Sequence, residues 1–166
     1  MSVWPQPDPV APGQESAWDY PRPAIAVPSD RHVAIEHRGV IVADTRDAIR
    51  TLETSHPPSW YIPPGDIADG VLQRSSRRSL CEWKGQAVYW HLVLGDDILR
   101  DVAWSYPDPT AAFAILRDHL AFYAGPLDRC SVDGQRVVPQ PGGFYGGWIT
   151  PDLAGPYKGV PGSMGW

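Results

Sequence analysis

Apolar and polar residues alternate in short bursts along this chain, in a rhythm of two rather than three and a half. The clearest stretch runs from Cys81 to Tyr106, where two apolar-aromatic runs flank Gly95-Asp96-Asp97. Such a pattern predicts a β-hairpin. With those three residues as the loop, Leu94 faces Ile98, Trp90 pairs with Val102, and Val88 pairs with Trp104 on one apolar face. The opposite face then pairs His91 with Asp101 and Tyr89 with Ala103.

The same reading extends to the rest of the chain. His32–Glu36 and Val40–Thr45 form paired strands around a three-residue loop, His37-Arg38-Gly39, with Val33 and Ile35 inward. Asp47–Thr54 has helix formers but is too short to hold a helix alone, so a turn or short strand is equally open. Ser55–Pro64 is stiffened by four prolines and reads as an extended wall. Gly65–Leu72 predicts one or two helical turns, and the polar, basic Gln73–Ser79 an exposed loop. Asp108-Pro109 opens a helix whose Phe113, Leu116 and Leu120 share a face. A strand over His119–Tyr123 is the alternative for the residues that follow. Arg129–Val138 is a second hairpin, because Asp133-Gly134 favours a tight type I′ turn.

Composition sharpens this picture. Nineteen prolines, sixteen glycines and eight tryptophans favour turns and short strands over long helices. A chain of 166 residues reads as one domain: a loose Pro-rich arm over 1–17, a β-rich body over 18–148, and a wrapping Gly- and aromatic-rich tail over 149–166. Within this frame the Trp18–Pro23 run should lie extended against the body, since its rings are costly to leave in water. The formal charge of −5 argues against a broad grip on nucleic acid or anionic lipid. No apolar run reaches membrane-spanning length, and residues 1–19 lack a secretory signal pattern. Two cysteines are too few for a disulfide framework or a closed zinc site, so a cytoplasmic protein with reduced thiols is expected.

Four sets of residues could carry chemistry. Cys81 and Lys84 would make an activated thiol if the turn at Trp83-Lys84-Gly85 brings them together; otherwise Cys81 is a buried structural residue beside a solvated lysine. Glu53 and His56, three residues apart beside a rigid proline pair, could form a general base or merely bond locally within a turn. His91 with Asp101 reads as an ordinary cross-strand pair. His119 reads as a half-buried residue that hydrogen-bonds in the core. The aromatic set Trp60, Tyr61, Trp83, Tyr89, Trp90, Trp104, Tyr106 and Tyr123 exceeds what a small core easily encloses, which predicts a ring-lined pocket. The scattered histidines predict no metal site, and no cofactor is implied.

Several runs together resemble a known family. They are W-D-Y-P-R-P (18–23), L-E-T-S-H-P-P-S-W-Y-I-P (52–63), C-E-W-K-G (81–85), A-V-Y-W (87–90), A-W-S-Y-P-D-P (103–109), H-L-A-F-Y (119–123) and Q-P-G-G-F-Y-G-G-W (140–148). In this order they resemble the bacterial and fungal domain-of-unknown-function family 427, which some catalogues label a nucleotidyltransferase-type domain. The Gly-Ser loop and paired aspartates of a Mg²⁺-nucleotide site are missing, so that label adds no chemistry. The resemblance implies a mainly β fold, a compact twisted sheet of β-tent (Mss4-like) outline with one or two short helices.

Together these readings predict a small-molecule pocket for an apolar or planar ligand between the central hairpin and the Glu53–Ile62 loop. Glu53, His56, Cys81 and Lys84 are the candidate catalytic residues. Trp60, Tyr61, Trp83, Tyr89, Trp90, Trp104, Tyr106, His119 and Tyr123 are the candidate ligand contacts. A non-catalytic interaction module, with a homodimer as its simplest form, and a Cys81-dependent enzyme are the rival expectations.

Overall fold

The computed structural model describes residues 4–166, and strands dominate them. Residues 1–3 of the Pro-rich arm lie outside the described residues. Strand β1 (Glu15–Ser16) leads into a single 3₁₀ turn that buries Ala17. It is followed by β2 (Ile25–Pro28), β3 (Val33–His37), β4 (Val40–Thr45), β5 (Ile49–Leu52) and β6 (Ser59–Tyr61). Strand β5 settles the open reading of 47–54 as a strand: pairing with β2 and β6 on both sides supplies the backbone partners that an isolated short helix would lack.

The long central strands are β7 (Leu72–Cys81), β8 (Gly85–Leu94) and β9 (Asp97–Ser105), joined at the edge by β10 (Ala121–Phe122) in the order β10-β9-β8-β7. Three expectations change here. Residues 73–79 are not a loop but most of edge strand β7, exposed along most of its length. A strand at the edge is wetted on both faces, so it carries Arg and Ser and hides its period. The hairpin at Arg38-Gly39 closes with two residues at positive φ, not three, since His37 pairs with Val40. The β8–β9 turn is likewise two residues, Gly95-Asp96, with only Gly95 at positive φ, the type II′ pattern.

That shorter turn reverses the expected faces of the central hairpin. Leu94 pairs with Asp97 and Leu92 with Leu99. A bulge at Arg100–Val102, with Asp101 at φ 52°, then advances the register, so Tyr89 pairs with Trp104 and Trp90 with Ala103. Bulges re-aim side chains and cluster near sites. A second bulge, Ser75–Arg77 on β7, lies opposite Tyr89. Ser75 Oγ donates to Asp101 Oδ1, which ties the two bulges together.

Strands β11 (Arg129–Val132) and β12 (Gln135–Arg136) close over Asp133-Gly134, both at positive φ as a type I′ turn requires. They join β3 and β4 in the order β12-β11-β3-β4. The segment after Asp108 is a 3₁₀ helix, Ala111–Leu116, broken at Phe113, rather than an α-helix; Thr110, not Asp108, is its N-cap. Phe113, Leu116 and Leu120 are all buried, as their spacing predicts.

Strand β13 (Val138–Pro139) pairs with β14 (Trp148–Ile149), and β15 (Leu153–Ala154) pairs in parallel with β1. The arm is bonded to the tail at Asp8, whose N–H donates to the Gly155 carbonyl. The main core contains residues of both four-stranded sheets, including Val33, Ile35, Leu92, Val102 and Cys130. A second cluster, built on Tyr61, Tyr89, Trp104 and Tyr106, lies beside a cavity.

Candidate functional site

The cavity has a volume of about 360 Å³. Its floor is the Tyr89–Trp104 pair, which the two-residue turn and the bulge place on one face. Tyr61 and Tyr106 continue that wall, and the Trp104 Nε1–H donates to Tyr61 Oη at 3.2 Å. Tyr123 stacks at a tilt on Trp104, with ring centres 4.8 Å apart. Burial pushes the phenols of Tyr61, Tyr106 and Tyr123 above the ordinary tyrosine range. They stay protonated at physiological pH and present O–H donors.

Glu53 and His56 form one end of the site. Their positions come from the turn between β5 and β6, where Ser55 takes φ 72° and the His56 N–H donates to the Glu53 carbonyl. His56 Nε2 lies 3.3 Å from Glu53 Oε2. On its other side His56 Nδ1 is 3.0 Å from Gln140 Nε2. The orientation of Gln140 is determined, because its Oε1 accepts from the Gly147 N–H and its Nε2 donates to the Lys158 carbonyl. Nδ1 of His56 is therefore an acceptor and Nε2–H points at Glu53. Both ring nitrogens are engaged, while Glu53 keeps an oxygen, Oε1, for which no partner is found among the described residues.

Burial alone would raise the Glu53 pKa, but the hydrogen bond from His56, with the charges of Lys84 and Arg22, outweighs it. The net result lies below the ordinary carboxylate range. Stability from this carboxylate is thus fully present above about pH 4.5 and is lost as pH falls through its lower folded value. Glu53→Gln should therefore cost stability at pH 6–7 and progressively less below pH ~4.5. Melting temperatures of the two proteins from pH 6 to pH 3 would check this; a gap that stays constant with pH would refute it.

Cys81 and Lys84 also line the cavity, on the three-residue loop Glu82-Trp83-Lys84 that closes Cys81 onto Gly85. Gly85 takes φ 110°, a conformation other residues rarely adopt, and this turn carries Lys84 Nζ to 3.9 Å from Cys81 Sγ. Cys130 is unlike Cys81: it lies in the core, where burial pushes its thiol up to about 12.

The other named residues lie elsewhere. Trp60 is 2 % exposed in the main core, and its indole N–H finds no hydrogen-bond partner among the described residues. Trp90 sits on the far side of the sheet from Tyr89, its Nε1–H donating to Ser105 Oγ at 3.0 Å. Trp83 is half-buried behind the Lys84 turn, where its carbonyl accepts from Thr110 Oγ1. His119 turns its Nδ1 to the Arg117 carbonyl at 2.9 Å, away from the cavity. Asp101 N–H donates to His91 Nδ1 at 3.0 Å within the β9 bulge. Among the described residues no group of three His, Cys, Asp or Glu is placed to hold a metal. No helix among them is long and apolar enough to cross a membrane.

Several lining residues are not among the candidates that the sequence predicts: Arg77, Gln140, Tyr145 and Lys158. Arg77 is aimed inward by the β7 bulge, its guanidinium 4.4 Å from the Tyr89 ring centre. Tyr145 meets the His56 ring edge-on at 4.8 Å. One signal was available for Lys158: it and Lys84 are the chain's two lysines. Gly146 and Gly147 let the 140–148 loop press onto the site. A Cβ on Gly146 would lie 2.1 Å from the Trp104 ring.

The class is thus a mainly β single-domain protein with one ring-lined, partly charged cavity beside its long central sheet. The model of a family described as a domain of unknown function (DUF427) matches residues 25–133, and the chain belongs to that family. No curated protein matches the sequence.

Proposed function

We propose that this protein binds a small planar ligand in the cavity above Tyr89 and Trp104, with the ionised Glu53 as the group that accepts a hydrogen bond from it. The observation that carries the reading is the convergence of buried rings, phenolic donors and a partly shielded carboxylate on a single hollow. A cavity of about 360 Å³ lies within the size range of small-molecule sites, and a ring-lined wall with convergent polar groups is how such sites fix a ligand's orientation. His56 has no free nitrogen, so its role in this reading is positioning: it orients Glu53 and is itself oriented by Gln140. A β-tent (Mss4-like) outline belongs to the same reading, supported by the core shared between the two four-stranded sheets. So does a reducing, cytoplasmic setting, supported by two unpaired cysteines.

Amide NMR shifts during titration with planar bicyclic compounds, charged and neutral, would test the proposal. Changes should concentrate at Tyr89, Trp104 and Gly146. If no such compound moves these signals in the folded protein, the cavity is not a ligand site.

A further inference from the structure

Resting on that reading of the cavity, we infer that its ligand is a planar anion, held with its negative group among Lys84, Lys158 and Arg77. The chain spends twelve arginines and two lysines, and both lysines line this one cavity. Arg77 makes a third cation there, against a single carboxylate, Glu53. The chain as a whole carries a charge of −5, so the cavity is locally of opposite sign to the protein around it.

None of these three cations forms an ion pair among the described residues. Glu53 makes no direct ion pair with any of them: its contacts are His56 at 3.3 Å and Arg22 at 3.7 Å, and it feels Lys84 only through space. A larger depression of about 840 Å³ near the N-terminal arm offers a contrast. There Arg31 pairs with Asp133 and Asp152, and Arg50 pairs with Glu15, so its charge is already compensated.

In the cavity each cation is instead held over an aromatic face. Arg77 lies 4.4 Å from the Tyr89 ring centre, Lys84 5.5 Å from Phe113, and Lys158 5.6 Å from Tyr145. A ring face attracts the cation without using up its N–H donors. Lys84 turns one N–H toward Cys81 Sγ at 3.9 Å; its others, and those of Arg77 and Lys158, remain for a carboxylate, sulfonate or phosphate carried by the ligand, whose aromatic body would lie along the ring-lined wall. Arg77 is exposed, but Lys84 and Lys158 are half-buried, and an anion beside these two gains more than it would in bulk water.

Calorimetric titration of the full-length protein with 2-naphthoate and its neutral isostere 2-naphthamide would test this. Naphthoate should bind about tenfold or more tightly at low salt, the worth of one charge-assisted contact. Its advantage should shrink as NaCl rises. Lys84→Gln with Lys158→Gln should cut the preference several-fold, leaving only the share of Arg77, while naphthamide still binds. Arg46→Gln, in the other depression, should change neither. Equal affinity for the two compounds in the wild-type protein would overturn the anion inference while the cavity reading stands. Binding of neither would overturn both. The wild-type pair and its salt dependence decide the matter even if the double variant fails to fold.

Discussion

Trp148→Ala should lower the free energy of unfolding by about 3–5 kcal/mol, read from urea denaturation. Trp148 is 1 % exposed and belongs to the main core. Removing its ring leaves a large hollow that the surrounding strands cannot fill by moving as a unit. Its indole N–H also donates to the Phe122 carbonyl at 2.9 Å, and its backbone N–H donates to the Pro58 carbonyl at 2.8 Å. The first of these ties the C-terminal segment to the edge of the long sheet, and the second ties it to the proline-rich wall. Trp148→Phe separates the two contributions: it keeps most of the apolar area and loses one buried hydrogen bond, for about 1–3 kcal/mol. A loss below about 1 kcal/mol for the alanine variant would mean that the tail is not part of the cooperative core.

Gly147→Ala should disturb the site as well as the fold. The added methyl would sit 2.4 Å from the Pro57 carbonyl oxygen and 2.6 Å from Gln140 Oε1. The first obstacle is backbone, in a segment that prolines hold stiff, so the loop must retreat instead. Retreat breaks the Gly147 N–H bond to Gln140 Oε1 at 3.1 Å and the return bond from the Gln140 N–H at 2.9 Å. Gln140 then no longer has a fixed orientation, and His56 loses the donor that sets its tautomer. The expected cost is about 1–3 kcal/mol, together with altered ¹⁵N shifts of the His56 ring and weaker binding of planar compounds. Gly143 is the control: it takes φ 71°, but a Cβ there meets nothing within 4 Å, so Gly143→Ala should cost only the left-handed strain of about 1–2 kcal/mol. An unchanged His56 spectrum in Gly147→Ala would show that Gln140 does not position the imidazole.

The two variants probe different levels of organisation. Trp148 is filling, and its loss is felt throughout the core. Gly147 matters for what it lacks, because only a bare backbone can approach Pro57 closely enough for Gln140 to reach both His56 and the Lys158 carbonyl. The site is thus held by a chain of contacts from three distant parts of the sequence, the 53–58 turn, the 140–147 loop and Lys158.

Some of this was legible without coordinates. Alternating apolar runs and turn dipeptides such as Asp133-Gly134 determine short strands and hairpins, because those preferences act between near neighbours. Glu53 and His56 meet for the same reason, being three residues apart on one turn, and Cys81 and Lys84 meet because a three-residue loop joins them. Which rings face the cavity was a different kind of question. One residue fewer in the Gly95-Asp96 turn and two more in the Asp101 bulge put Trp104 beside Tyr89 and send Trp90 to the other face; nothing local in the hairpin distinguishes these registers. Trp60 went to the core through the pairing of its strand, and His119 turned to the Arg117 carbonyl two residues before it. Arg77, Gln140, Tyr145 and Lys158 joined the site only through contacts between segments far apart in the chain. Local preference therefore determined the elements, while parity of register and long-range packing, which no short window of residues contains, decided the cavity.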